Sequence, residues 1–183
     1  LMRLSFKVDA MKEKFEYIEY VESADARRLP KEVETVIQQG YAKGRISKDD
    51  TYVAEQLRIA TSRIAADRAD LPALERDAKA ANAGLRTVVA AGDTFLNYGD
   101  PVKAEGYYAK SLGIAGVDTQ TVLTRLGISQ LGQGKFAEAI ATFAKVQGKR
   151  YAIARLWSAY ASAEAAKAAP PAAPAAPTSP AAS

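Results

Sequence analysis

LTRLGISQLGQGKFAEAIATFAKV, from Leu123 to Val146, is the stretch from which the rest of the chain can be read. Shifted back by 35 residues, Leu123 falls on Val88, Gly127 on Gly92, Gly134 on Gly99, Ala139 on Ala104 and Phe143 on Tyr108. Two helices of about a dozen residues, joined by a glycine-marked turn and repeated at a fixed period, are the signature of a helical-repeat array. The residue types give the physical reason. Gly127 on the first helix and Ala139 on the second remove bulk that would hold two backbones apart, and Leu123, Leu126 and Phe143 fill the space beside that contact.

At these residues the segment resembles the tetratricopeptide repeat (TPR) family, whose pattern is a large apolar residue, Leu-Gly, a turn, an aromatic, Ala, an aromatic and a small residue. Val88 to Leu112 carries the same pattern with Ala91 in place of the Leu before the glycine. Trp157, 34 residues after Leu123, begins a third copy where the family most often has Trp. The joint GIAGVDTQ, 113–120, lengthens the period one residue beyond the family's usual 34. The resemblance implies an all-α fold, a right-handed superhelix of paired helices, and a non-catalytic binding scaffold.

Composition agrees with an all-α chain. Apolar residues make up 48% of 183, enough for a continuous core in one domain, and alanine takes a large share while β-branched residues form no alternating runs. Neither cysteine nor histidine is present. That removes disulfides, thiolate metal sites, Cys or His nucleophile systems and most zinc chemistry, so no cofactor or metal is called for. A formal charge of +4 with 25% charged residues is mildly basic and demands no nucleic acid. No apolar run approaches the ~20 residues that span a bilayer, so membrane insertion is not expected. The start lacks the features of a signal peptide, and the Leu before Met2 points to a longer precursor. Compartment stays open; the Ala/Pro-rich end and freedom from cysteine suit a bacterial envelope as well as a cytoplasm.

Taken in order, residues 6–22 place Phe6, Ala10, Met11, Phe15, Ile18 and Val21 at helical spacing and predict one amphipathic helix. Pro30 opens a second helix that Gly44 ends. Asp49 or Asp50 caps a third, with Val53, Leu57, Ala60 and Ile64 on one stripe, and Asp70-Leu71-Pro72 opens a fourth reaching Ala81. The repeats supply 85–98, 101–112, 120–131 and 135–146, with Asp118 as a cap, and 150–166 forms a last covering helix. This makes about nine helices: residues 1–84 as divergent hairpins or an unrelated helical domain, 85–167 as the repeats, and 168–183 as a disordered Ala/Pro tail.

Other motifs carry little chemistry. Gly132-Gln133-Gly134-Lys135 has a phosphate-loop look but lacks the earlier Gly, the following Ser or Thr and the preceding strand. Glu13 with Glu16 and Asp49 with Asp50 read as caps or solvated faces, and no serine has an activating partner. The basic residues Arg27, Arg28, Lys31, Lys43, Arg45 and Lys48 are interrupted by acids, which favours a solvated surface over a polyanion site. An enzyme is therefore not expected. A supporting helical domain of an enzyme or transport assembly, and polyanion binding through the basic first quarter, are the alternatives to a scaffold.

The resemblance also implies a site, because in this family the first helix of each pair lines a concave groove that holds peptides. With Gly92 and Gly127 at the eighth repeat position, the groove positions hold Arg86, Val89, Asp93 and Asn97 in one copy, and Thr124, Arg125 and Ile128 in the next. The last helix adds Arg155 and Ser158. Arg86, Arg125 and Arg155 would share a groove beside Asn97 and grip a carboxylate or an acidic segment of a protein or peptide partner. The same arginines could instead pair with Asp93.

Overall fold

Three aspartates start helices in the same way. Asp50 accepts the Val53 N–H at 3.0 Å, Asp100 the Lys103 N–H at 3.0 Å and Asp118 the Thr121 N–H at 3.1 Å, each satisfying a donor that the first helical turn leaves without a partner. The structure, a computed structural model, describes residues 1–168. The expected Ala/Pro tail lies outside them. Among the described residues the protein is all-helical, with nine α-helices and one 3-10 turn. They are α1 (Met2–Lys7), α2 (Lys14–Ala24), α3 (Pro30–Ala42), α4 (Thr51–Lys79), α5 (Leu85–Asn97), α6 (Pro101–Ser111), α7 (Thr119–Gly132), α8 (Phe136–Phe143), the 3-10 turn Gly148–Arg150 and α9 (Tyr151–Ala168). None is long and apolar enough to cross a membrane.

Two expected boundaries are corrected. The single helix expected over 6–22 is two, because Asp9 turns the chain at φ 54° and the Glu16 carboxylate reaches back to the Glu13 and Lys12 N–H groups at 2.8 and 2.6 Å, starting α2 afresh. The break expected at Asp70-Leu71-Pro72 is absent, and α4 runs straight through Pro72. Pro72 removes one ladder bond, but the helix is anchored at both ends in apolar cores. Val53 and Ala60 lie in one cluster with α2 and α3, whereas Ala78, Leu71 and Leu74 join α5 to α9 in the other. α4 is therefore the strut between two cores.

Each helix from α2 onward packs on its successor, and alternate helices also meet, α3 with α5 and α7 with α9. The repeat predicted from the 35-residue offset shows as one contact made twice. A Cβ built on Gly92 would lie 2.7 Å from the Tyr108 ring, and one on Gly127 would lie 2.5 Å from the Phe143 ring. Each glycine admits an aromatic ring against the helix backbone. Ala104 and Ala139 are fully buried in the same core, and the Tyr108 and Phe143 rings are the nearest atoms that a Cβ on either glycine would meet. The Phe143 ring in turn stacks on Trp157 with centroids 6.3 Å apart, which ties the second hairpin to α9.

These contacts separate glycines by role. Gly127→Ala is expected to lower stability by about 1–3 kcal/mol, since a caged ring must move. Gly106→Ala, exposed in the interior of α6 with open space around it, should raise stability by about 0.5–1 kcal/mol. Urea unfolding of the two variants checks both signs.

Candidate functional site

The side chains that converge on one face of the array begin with α1. This two-turn helix lies across the chain, with Arg3 donating from Nε to Glu32 Oε1 at 2.7 Å and from Nη2 to Glu32 Oε2 at 2.5 Å. The Tyr20 hydroxyl donates to the same carboxylate at 2.7 Å. Glu32 belongs to the first turn of α3, whose N-cap residue Leu29 offers no side-chain acceptor. Asn97 at the end of α5 supplies it instead: its Oδ1 accepts the Glu32 N–H at 2.8 Å. One residue thus joins α1, α2, α3 and α5. Burial alone would push the Glu32 carboxyl upward, but the Arg3 guanidinium and the Tyr20 hydroxyl outweigh it and hold it below the usual glutamate range. The Tyr20 phenol is pushed up by burial and by the neighbouring Glu32 charge.

A second carboxylate is bound in the same fashion. Asp93 on α5 accepts the Tyr108 hydroxyl at 2.7 Å and an Arg125 guanidinium N–H at 3.0 Å. The Tyr108 phenol is likewise pushed up by burial and the Asp93 charge.

Around these two centres run three cavities. One of about 490 Å³ is lined by Leu1, Met2 and Arg3 together with Glu32, Asp93, Thr124, Arg125, Ile128 and Trp157. A second of about 420 Å³ passes the other flank of α1, between Arg3 and Phe6 on one side and Leu96, Asn97, Ile128 and Trp157 on the other. The third, about 520 Å³, opens between α5 and α7 and is lined by Arg86, Val89, Asp93 and Arg125. Seven of the nine expected groove residues therefore line these hollows: Arg86, Val89, Asp93, Asn97, Thr124, Arg125 and Ile128. Arg155 and Ser158 line none of the three; Arg155 is exposed and lies 6.0 Å over the ring of Tyr151 on its own helix. Arg125 pairs with Asp93 and Asn97 caps α3, so neither is unengaged, while Arg86 is exposed.

The residues that sequence reasoning missed are Arg3, Tyr20 and Glu32, which meet only through contacts 12 and 29 positions apart. Trp157 was read as a repeat marker, yet it lines two of the cavities from α9. The glycine-lysine run at 132–135 is the end of α7 followed by a turn with Gly134 at φ 74°, and Lys135 is paired with Glu105 at 2.7 Å. In the basic first quarter, Lys31 and Lys43 pair with Glu34 and Asp9. Among the described residues no three His, Cys, Asp or Glu side chains are grouped as metal ligands would be. Compared with family models, curated proteins and solved structures, the chain gives no match.

Because the Glu32 carboxyl is held below its unfolded value, its stabilising contribution is complete above the ordinary glutamate range and is lost as pH falls through the folded value. Glu32→Gln should therefore cost about 1–3 kcal/mol at neutral pH, and the difference from wild type should shrink in acid. Urea midpoints of both proteins at pH 7 and near pH 3 read this out; an equal gap at both values would contradict it.

Proposed function

We propose that this protein is a non-catalytic scaffold, a TPR-like right-handed array that holds a segment of another protein on the face formed by α3, α5, α7 and α9. The observation that carries the reading is that this face already holds a short helix, α1, and continues beyond it into the hollow between α5 and α7. The glycine-ring contact repeated at one offset, and helices packed in chain order with alternate members meeting, support the stacked-hairpin architecture. Half-buried Val89 gives the hollow an apolar wall. Arg86 at its rim has no carboxylate within ion-pair distance among the described residues, which makes it the guanidinium for an acidic side chain of the bound segment.

A photo-crosslinking residue placed at Val89 should capture partner protein in the native cell, whereas the same residue at Val102, 64% exposed on α6, should not. Arg86→Ala should weaken the Val89 adduct several-fold without altering the melting temperature, as expected for an exposed charge. Equal capture from both positions, or none from Val89, would remove the groove as a binding surface.

A further inference from the structure

We propose that the cavity of about 420 Å³ bounded by α1, α3, α5, α7 and α9 is a binding site for a small carboxylic acid with an apolar body. It shares no lining residue with the hollow between α5 and α7, so this site and the groove for a protein segment stand or fall separately.

Its apolar wall is assembled from distant parts of the chain. Phe6 comes from α1, Val36 from α3, Leu96 from α5, Ile128 from α7 and Trp157 from α9. Val36 belongs to the first core and Trp157 to the second, so the cavity lies where the two halves meet. Its volume is within the range of small-molecule sites, which pair a mostly apolar lining with a few placed polar groups.

The polar groups that matter are those left over after the internal pairs are made. Arg3 is neutralised by Glu32, and Lys43 by Asp9. Asn97 is only 8% exposed, and its Oδ1 accepts the Glu32 N–H at 2.8 Å. An atom that accepts from a backbone N–H is the amide oxygen, so the free end of Asn97 is its NH2. Among the described residues that NH2 has no acceptor within hydrogen-bond distance. Trp157, 2% exposed, likewise has none for its indole N–H, a group that only donates. Lys7, exposed at the mouth, has no carboxylate within ion-pair distance among the described residues.

Two donors on side chains more than nine-tenths buried, with a cation at the opening, call for acceptor oxygens and a negative charge. A carboxylate has lone pairs enough to accept from Asn97 and Trp157 together, and Lys7 attracts its charge. The hydrocarbon part displaces water from Val36, Leu96 and Ile128, which supplies the non-directional share of the binding. An amide in place of the acid keeps an acceptor but gains nothing from Lys7, and an ammonium group is repelled by it.

Trp157 is the sole tryptophan, so its fluorescence reports occupancy directly. The full chain is titrated with phenylpropionate and isocaproate, an aromatic and a branched acid, and with phenylpropionamide and acetate as controls. At least one of the two acids should shift the emission saturably with a Kd of about 1 mM or below, and the amide and acetate should bind about ten-fold more weakly or not at all. Asn97→Asp keeps the oxygen that caps α3 but puts a carboxylate oxygen where the NH2 stood, and should weaken that acid about ten-fold or more. Lys7→Gln changes an exposed side chain and tests the site without touching the cap; it should weaken the acid about two- to five-fold and leave the amide unchanged. No saturable shift with either acid up to about 10 mM, equal affinity for acid and amide, or full affinity in both variants would overturn the proposal. Loss of the Val89 crosslinks leaves these titrations unchanged, and loss of acid binding leaves the crosslinks unchanged, so the two failures are distinguishable.

Discussion

The two halves of this protein are joined at the Glu32 residue of α3. Its N–H is capped by Asn97 from α5, and its carboxylate is held by Arg3 from α1 and Tyr20 from α2. The apolar cores on either side are separate clusters, connected in chain by the long strut α4 and also by α1, whose Leu4 lies in one while Met2 and Phe6 pack against the other. Apolar contacts are non-directional and would tolerate sliding of one cluster on the other. Hydrogen bonds to a half-buried, charged carboxylate do not, since each displaced donor leaves a group without its partner. The relative setting of the halves is therefore fixed by a polar joint rather than by a shared core.

Within the second core the repeat is built on a ring seated against a glycine, and the two copies use it differently. In the first, the ring is Tyr108, whose hydroxyl continues outward to Asp93 and so to Arg125 on the next hairpin. In the second, the ring is Phe143, which has no hydroxyl and stacks instead on Trp157 of the closing helix. A single hydroxyl decides whether the repeat hands on a polar link or an apolar one. The apolar version falls beside α9, the last described helix.

The all-helical class, the turns at Gly99 and Gly134, and the caps at Asp50 and Asp118 were legible in the sequence because each is set by residues within one or two turns. The division of the first helix was legible in principle: Glu13 and Glu16 have capping-box spacing, but the apolar stripe through them hides it. Pro72 misleads in the opposite sense, since its local cost is overridden by burial of Leu71, Leu74 and Ala78 in the second core. Of the site, Arg86, Val89, Asp93 and Arg125 were expected together from the groove positions that the family resemblance implies, and they do line one hollow. The engagement of Asn97 with α3, and the whole Arg3–Glu32 centre, depend on pairs 65 and 29 residues apart that no local pattern encodes.

Set side by side, Glu32 and Asp93 are the same device in two places. Each carboxylate accepts from one tyrosine hydroxyl and one guanidinium, Tyr20 and Arg3 for the first, Tyr108 and Arg125 for the second. The tyrosine is buried in a core, 5% exposed for Tyr20 and 0% for Tyr108, whereas the guanidinium stands on the cavity-lined face. The carboxylate is thus the connection between the core and the cavity-lined face. Since Tyr108 rests on Gly92 and Tyr20 on Phe6, each of these polar links ends on a ring packed in a core.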